Sequence, residues 1–245
     1  MLRVLAACVL FFTVAVVASE SVVDTERNRL IPIQLSLPSD KYTCSETSRC
    51  PVAFLSAGYG VPHTKYQFLA QTFSQLGYLV VAIGHELAGD PPLAVSGNLF
   101  EARAENWQRG ADTLRVVRRE LGQKYPEFNF DNLTLAGHSN GGDISAWLAL
   151  ESSPFVTKLI TLDHRRVPLP RSNSVDILSI RASDFEADEG VLPTKSEQAE
   201  YGSCILEIPR SRHNDMSDYG PASLASHIQA IVHRWVTDDS CYLHE

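Results

Sequence analysis

Leu133-Thr134-Leu135-Ala136-Gly137-His138-Ser139-Asn140-Gly141-Gly142 is the stretch on which the reading of the chain turns. It contains G-x-S-x-G as Gly137, Ser139 and Gly141, with a further Gly142. A short apolar strand precedes it, and a helical pattern of Ile144, Trp147, Leu148 and Leu150 follows. That is the setting of a nucleophile elbow, in which a serine sits on a tight turn between strand and helix. The small neighbours let strand and helix approach closely. The turn lifts the hydroxyl above the sheet and aims a helix N-terminus at the reacting centre.

Outward from this stretch, short apolar strands alternate with helices. Leu30 to Leu37 alternates apolar and polar residues and reads as an outer strand. Val52–Leu55 and Tyr78–Ile83 read as buried strands, with a helix over Tyr66–Leu76 between them and Gly77 at its end. Gly89–Gly97 is a Pro/Gly loop, and Glu105–Leu121 is a long amphipathic helix closed by Gly122. Beyond the elbow, Lys158–Leu162, Asp176–Ile180 and Ser203–Ile208 are strands, and Ser223–Val236 is a final helix. The pattern predicts an α/β fold with a mostly parallel central sheet and helices on both faces. The thirteen residues between Leu162 and Asp176 leave no room for an inserted cap domain, so an open site is expected.

Residues 1–18 read as a signal peptide, with Arg3 as its positive end, an apolar run from Leu5 to Val17 and small residues at Val16-Val17-Ala18. The run is too short and wrongly flanked for a stable membrane anchor. Residues 19–245 then form a single domain, exported to a periplasm or secreted. Cys44, Cys50, Cys204 and Cys241 are an even set that suits an oxidising compartment. Of three pairings, Cys44–Cys50 and Cys204–Cys241 are favoured, the first closing a polar turn and the second tying down the C-terminus. A net charge of −8 argues against a nucleic-acid or anionic-membrane surface. The scattered histidines include no metal-ligand spacing, so no metal and no cofactor is expected. Asn132-Leu133-Thr134 is a glycosylation sequon only in form.

In an open α/β sheet, functional groups gather at the carboxyl ends of the strands. Those ends carry Tyr59, His85, Ser139, Asp163, Asp184 and His213. A serine hydroxyl needs a base, and the base needs a carboxylate to orient it. His213, in the loop after the last strand, fits the base in the chain order serine, acid, histidine. His138 adjoins Ser139 but alternation points it away. The acid is Asp184 as first choice, at the end of the second strand after the elbow, with Asp163 one strand earlier as the alternative. Asp143, Asp188 and Asp215 read as surface or loop carboxylates. The backbone N–H groups of Asn140 and Tyr59 are the expected oxyanion donors. Arg165, Arg166, Arg171, Arg181, Arg210 and Arg212 cluster in the stretches around the site mouth. Arginine suits carboxylate and phosphate, so Arg166, with His85, is a candidate for binding a substrate with an anionic group.

Three stretches carry a family resemblance: Pro51 to Glu86, the GHSNGG elbow, and LITLDHRRVPLP together with RHNDMSDYGP. They resemble the dienelactone-hydrolase and platelet-activating-factor-acetylhydrolase branch of the α/β-hydrolase superfamily, over most of residues 30 to 220. The resemblance implies an esterase-like or lipase-like serine hydrolase acting through an acyl-enzyme on a small-molecule ester. It carries the nucleophile onto Ser139, the base onto His213 and the oxyanion donors onto Tyr59 and Asn140. The acetylhydrolase pattern favours Asp163 as acid, and the wider superfamily favours Asp184. Ala57-Gly58 departs from the His-Gly common at the oxyanion loop, and Asp163-His164-Arg165-Arg166 is unusually basic. A thioesterase or peptidase on the same fold is the alternative within enzymes. A non-catalytic binding protein on a hydrolase scaffold is the alternative outside them.

Overall fold

The computed structural model describes residues 17–40, 43–151, 153–238 and 241. The signal-peptide reading therefore falls almost wholly outside the described residues. Val17 and Ala18 are the exception, opening a strand that the sequence pattern did not announce. Eight strands form one sheet: β1 (Val17–Asp24), β2 (Arg29–Ser36), β3 (Cys50–Ser56), β4 (Leu79–Ile83), β5 (Phe128–His138), β6 (Val156–Leu162), β7 (Asp176–Arg181) and β8 (Cys204–Glu207). Their order is β1-β2-β4-β3-β5-β6-β7-β8. β1 and β2 run antiparallel, and β2 is antiparallel to β4. The remaining pairs are parallel, so β3 to β8 present their carboxyl ends along one edge. The helices are α1 (Gln67–Gln75), α2 (Leu99–Lys124), α3 (Asn140–Leu150), α4 (Lys195–Tyr201) and α5 (Ala222–Asp238).

Alternation along β3 shows why both faces must be covered. Val52 and Phe54 point into one core with Trp107 and Leu114 of α2 and Ile144 of α3. Ala53 and Leu55 point into another with Phe68 and Phe73 of α1 and Ile228 and Val232 of α5. Successive side chains of a strand leave opposite faces, so a strand apolar at every position demands helices on both sides.

Two boundaries differ from the sequence reading. α2 begins six residues before Glu105, at Leu99, because Asn98 caps it by accepting from the Glu101 N–H. It also runs through Gly122 to Lys124. α4 was not anticipated: its seven residues bury nothing and rest on a capping box between Thr194 and Glu197. Between β6 and β7 there is only loop, as the spacing required.

Cys44 is bonded to Cys50, and Cys204 to Cys241. The first closes 6 residues of chain and the second 37. Loop-closure entropy then gives about 2 kcal/mol for the short loop and about 4 kcal/mol for the long one. Cys241→Ser is accordingly expected to lower the denaturant midpoint more than Cys44→Ser. Equal losses in a urea titration would refute that ordering.

Candidate active site

Ser139 caps α3 with φ +52° and ψ −121°. A non-glycine residue with positive φ costs energy and persists only where its surroundings fix it. Here the glycines allow the fixing. A Cβ on Gly137 would lie 2.3 Å from the Gly141 carbonyl oxygen, and one on Gly141 would lie 2.2 Å from that of Ser56. Strand, turn and the end of β3 thus touch backbone to backbone. The Ser139 N–H donates to the Leu162 carbonyl at 2.9 Å, joining the elbow to the end of β6.

His213 opens a short 3-10 turn after β8. Its Nε2 lies 2.9 Å from Ser139 Oγ, and its Nδ1 lies 2.5 Å from Asp163 Oδ2. Asp163 is fully buried and has φ +49°. Its other oxygen takes the Ala182 N–H at 3.1 Å and lies 2.8 Å from Arg181 Nη2. Burial alone would raise this carboxyl; the hydrogen bond from His213 and the charge of Arg181 outweigh it and hold the pKa below its usual value. The carboxylate is therefore ionised where it meets the imidazole.

Asp184, the first choice of the sequence reading, sits differently. It is exposed, and its Oδ1 accepts the backbone N–H of His213 at 2.8 Å. It anchors the turn that carries the imidazole, while Asp163 meets the ring itself. Asp143 also departs from expectation, since it is 2% exposed rather than a surface group. Its Oδ1 accepts from the N–H groups of Arg165, Arg166 and Val167 at 3.3, 2.8 and 3.0 Å. Burial pushes its pKa up to about 6, against those hydrogen bonds. The chain after Asp163 is thereby pinned to the first turn of α3.

His138 is tied into the site although alternation along β5 pointed it away. Its Nε2 lies 3.0 Å from the His213 carbonyl, which can only accept, so Nε2 carries the hydrogen. Its Nδ1 then accepts from the Tyr66 hydroxyl at 2.8 Å, and that hydroxyl accepts from the Gly58 N–H at 3.0 Å. One hydrogen-bond chain joins the loop after β3 to the loop that carries His213. Burial lowers the His138 pKa to about 3 and keeps the ring neutral, as the chain requires. Strand alternation could not reveal this, because the hydrogen-bond partners come from two remote loops.

Asn140 is the first residue of α3. Its side chain is fixed by Trp107 Nε1 at 2.9 Å and by Asn106 Oδ1 at 2.8 Å, so α2 supports the elbow. Gly58 packs against the elbow from the other side, where an added Cβ would lie 3.4 Å from that of Ser139. Tyr59 follows it, and its hydroxyl accepts from the Leu93 N–H at 3.2 Å.

The two residues expected to meet substrate each have a partner within the protein. Arg166 Nη1 pairs with Asp188. His85 is 7% exposed with Nε2 2.9 Å from Ser56 Oγ, and burial takes its pKa to about 3. Arg29, bonded to Asp90 and to the His85 carbonyl, holds the loop after β4 in place. Among the described residues, no group of three or more His, Cys, Asp or Glu side chains has the arrangement of a metal site. No described helix is long and apolar enough to cross a membrane.

A mostly parallel eight-stranded sheet with a serine elbow after β5 and a histidine loop after β8 is the α/β-hydrolase fold. No family model and no curated protein matches the chain in sequence. Solved structures match it in fold. A ferulic acid esterase from Streptomyces cinnamoneus superposes with a TM-score of 0.65 at 17% identity, covering 94% of this chain and 90% of that one. A dienelactone hydrolase-like promiscuous phosphotriesterase from metagenomic libraries gives a TM-score of 0.67 at 12% identity, over 91% and 98%. The dienelactone hydrolase from Anabaena variabilis gives 0.57 at 14% identity, over 94% and 99%. The resemblance seen in the sequence is thus matched in the fold.

Proposed function

We propose that this protein is a carboxylic-ester hydrolase acting through Ser139, His213 and Asp163. The observation that carries this reading is the unbroken contact chain from Ser139 Oγ through both ring nitrogens of His213 to an ionised, buried carboxylate. With Asp163 accepting from Nδ1–H, His213 Nε2 is free to take the serine proton. Ser139 Oγ attacks the ester carbonyl, and the proton passes from Nε2 to the departing alcohol. Water then attacks the acyl-enzyme by the same route in reverse. The N–H groups of Asn140 and Tyr59 receive the charge that develops on the carbonyl oxygen. Asp184 and His138 hold the turn that bears the base, without touching substrate.

The esterases and dienelactone hydrolases among the fold neighbours support an ester as substrate. A cap-free edge favours a short or accessible acyl group. The two disulfides support an oxidising compartment, hence a periplasmic or secreted protein. Hydrolysis of p-nitrophenyl esters from C2 to C12 tests the reading, alongside labelling by a fluorophosphonate. Wild-type protein is expected to turn over the short esters and take the label. Ser139→Ala should do neither, with an unchanged melting temperature. Labelling without ester turnover would shift the reading to a thioesterase or peptidase. Neither labelling nor turnover would leave a binding protein on this scaffold.

A further inference from the structure

Of the arginines that crowd the loops around the site, several already have an acid. Arg166 pairs with Asp188, Arg181 lies 2.8 Å from Asp163, Arg171 lies 3.6 Å from Glu197, and Arg212 lies 2.9 Å from Asp215. Arg165 is different. Among the described residues its guanidinium has no carboxylate within ion-pair distance and no hydrogen-bond acceptor. Instead, its Cζ stands 3.8 Å from the centroid of the Phe185 ring. That ring is 55% exposed, and its centroid is 6.2 Å from that of His213. The cation therefore stands within about 10 Å of the imidazole, on an aromatic surface that flanks it.

Its backbone is fixed on both sides. The Arg165 N–H donates to Asp143, and its carbonyl accepts from the Asp188 N–H at 3.0 Å. The side chain alone is uncommitted. It is half-buried, and the loss of solvent, together with the like charge of Arg166, pulls its pKa below the usual arginine value, against the pull of Asp163, Asp143 and Asp184. A half-desolvated cation without a bonded partner gains most from an anion brought to it. A guanidinium whose Cζ stands over an aromatic ring still has N–H groups to offer to two adjacent oxygens.

We propose that Arg165, backed by Phe185, is the subsite for an oxyanion group on one arm of the ester, so that the preferred substrate is an ester bearing a carboxylate or a phosphate. This rests on the esterase reading and moves the anion contact from Arg166 to its neighbour. In the sheet, Arg165 and Phe185 follow β6 and β7, on the side of Ser139 opposite the Gly58-Tyr59 loop after β3. The anion is thus held on the far side of the reacting carbonyl from that loop.

The test compares p-nitrophenyl butyrate with three charged analogues: mono-p-nitrophenyl glutarate, the butyryl ester of 4-hydroxybenzoate and 4-butyryloxyphenyl phosphate. These separate a charged acyl arm from a charged alcohol, and carboxylate from phosphate. At least one charged ester is expected to show a KM about tenfold below the neutral one in wild type. Arg165→Gln should remove that advantage and leave the neutral ester within about twofold. Arg165→Lys should restore part of it, since an ammonium lacks the fork. Raised salt should shrink the preference. Equal effects of Arg165→Gln on neutral and charged esters would overturn the subsite, as would a wild type indifferent to charge. A turnover-free measurement separates this from failure of the esterase reading. Calorimetric binding of benzoate and of phenyl phosphate to Ser139→Ala protein is expected at millimolar strength for at least one of them and should vanish on adding Arg165→Gln. Loss of all turnover with that Arg165-dependent binding intact would sink the esterase reading alone. Binding of neither, or binding indifferent to Arg165, would sink the subsite.

Discussion

Asp163→Asn should lower kcat for a good ester about ten-thousand-fold, while Asp184→Asn should lower it less than about tenfold. The contrast follows from which atoms each carboxyl meets. Asp163 Oδ2 faces His213 Nδ1 at 2.5 Å. An amide nitrogen in that position donates instead of accepting, so Nδ1 must lose its hydrogen and Nε2 must carry one. The ring then offers no lone pair to the Ser139 hydroxyl. Asp184 Oδ1 accepts only the backbone N–H of His213, at 2.8 Å, and an asparagine carbonyl can do the same. Asp163→Asn also leaves Arg181, 5% exposed, without its counter-charge. A melting temperature several degrees lower is therefore expected, on the scale of about 3 kcal/mol for a broken buried pair. Kinetics at a temperature where both variants are folded separate the two effects. A larger kcat loss in Asp184→Asn would reverse the assignment.

Gly141→Ala is expected to be among the most damaging single methyls in the protein and to disable the serine turn. Its Cβ would lie 2.2 Å from the Ser56 carbonyl oxygen and 2.4 Å from that of Ala57. Both are backbone atoms at the end of a central strand, buried between neighbours on either side, and they cannot swing aside. The cost should reach at least about 3 kcal/mol, the upper part of the range for overpacked cores. Whatever elbow forms will hold Ser139 out of reach of His213. Gly122→Ala is the control. That glycine is within α2, and its added Cβ would make ordinary contact with Phe130 at 3.4 Å. Removing a helical glycine there should stabilise by up to about 1 kcal/mol. Thermal melts and ester turnover on the two variants check both. An active, stable Gly141→Ala protein would mean that the elbow is looser than its backbone contacts imply.

Local pattern was enough to read the parallel strands and most helices. Apolar runs such as Leu79–Ile83 are buried on both faces and have no alternative environment that would satisfy them. The elbow was equally legible, because close approach of strand to helix excludes a Cβ at Gly137 and Gly141, and that requirement is written in residue type. The first strand escaped notice. Val17–Asp24 pairs with β2 at the sheet edge, and the alternating exposure of its side chains from Ala18 onward follows an apolar run that reads as a leader. α4 escaped too, since it buries nothing and so leaves no periodic trace.

By itself the sequence determined the sheet's parallel core, the serine turn and the set of charged side chains at its carboxyl edge, because each depends on spacing within one segment. Only the tertiary structure decided how that set is shared out. Asp163 and Asp184 follow neighbouring strands and are the same residue type, 50 and 29 residues before His213 in the chain. One turns inward, at positive φ, onto Arg181 and the imidazole, and the other stays in solvent on a main-chain N–H. Arg165 and Arg166 divide in the same way, one stacked on Phe185 and one paired with Asp188. The physical reason is common to both pairs. Residues of one type at the same edge of the sheet are separated by the direction in which each side chain leaves the backbone. Hydrogen bonds to segments tens of residues away set that direction, and nothing local encodes it.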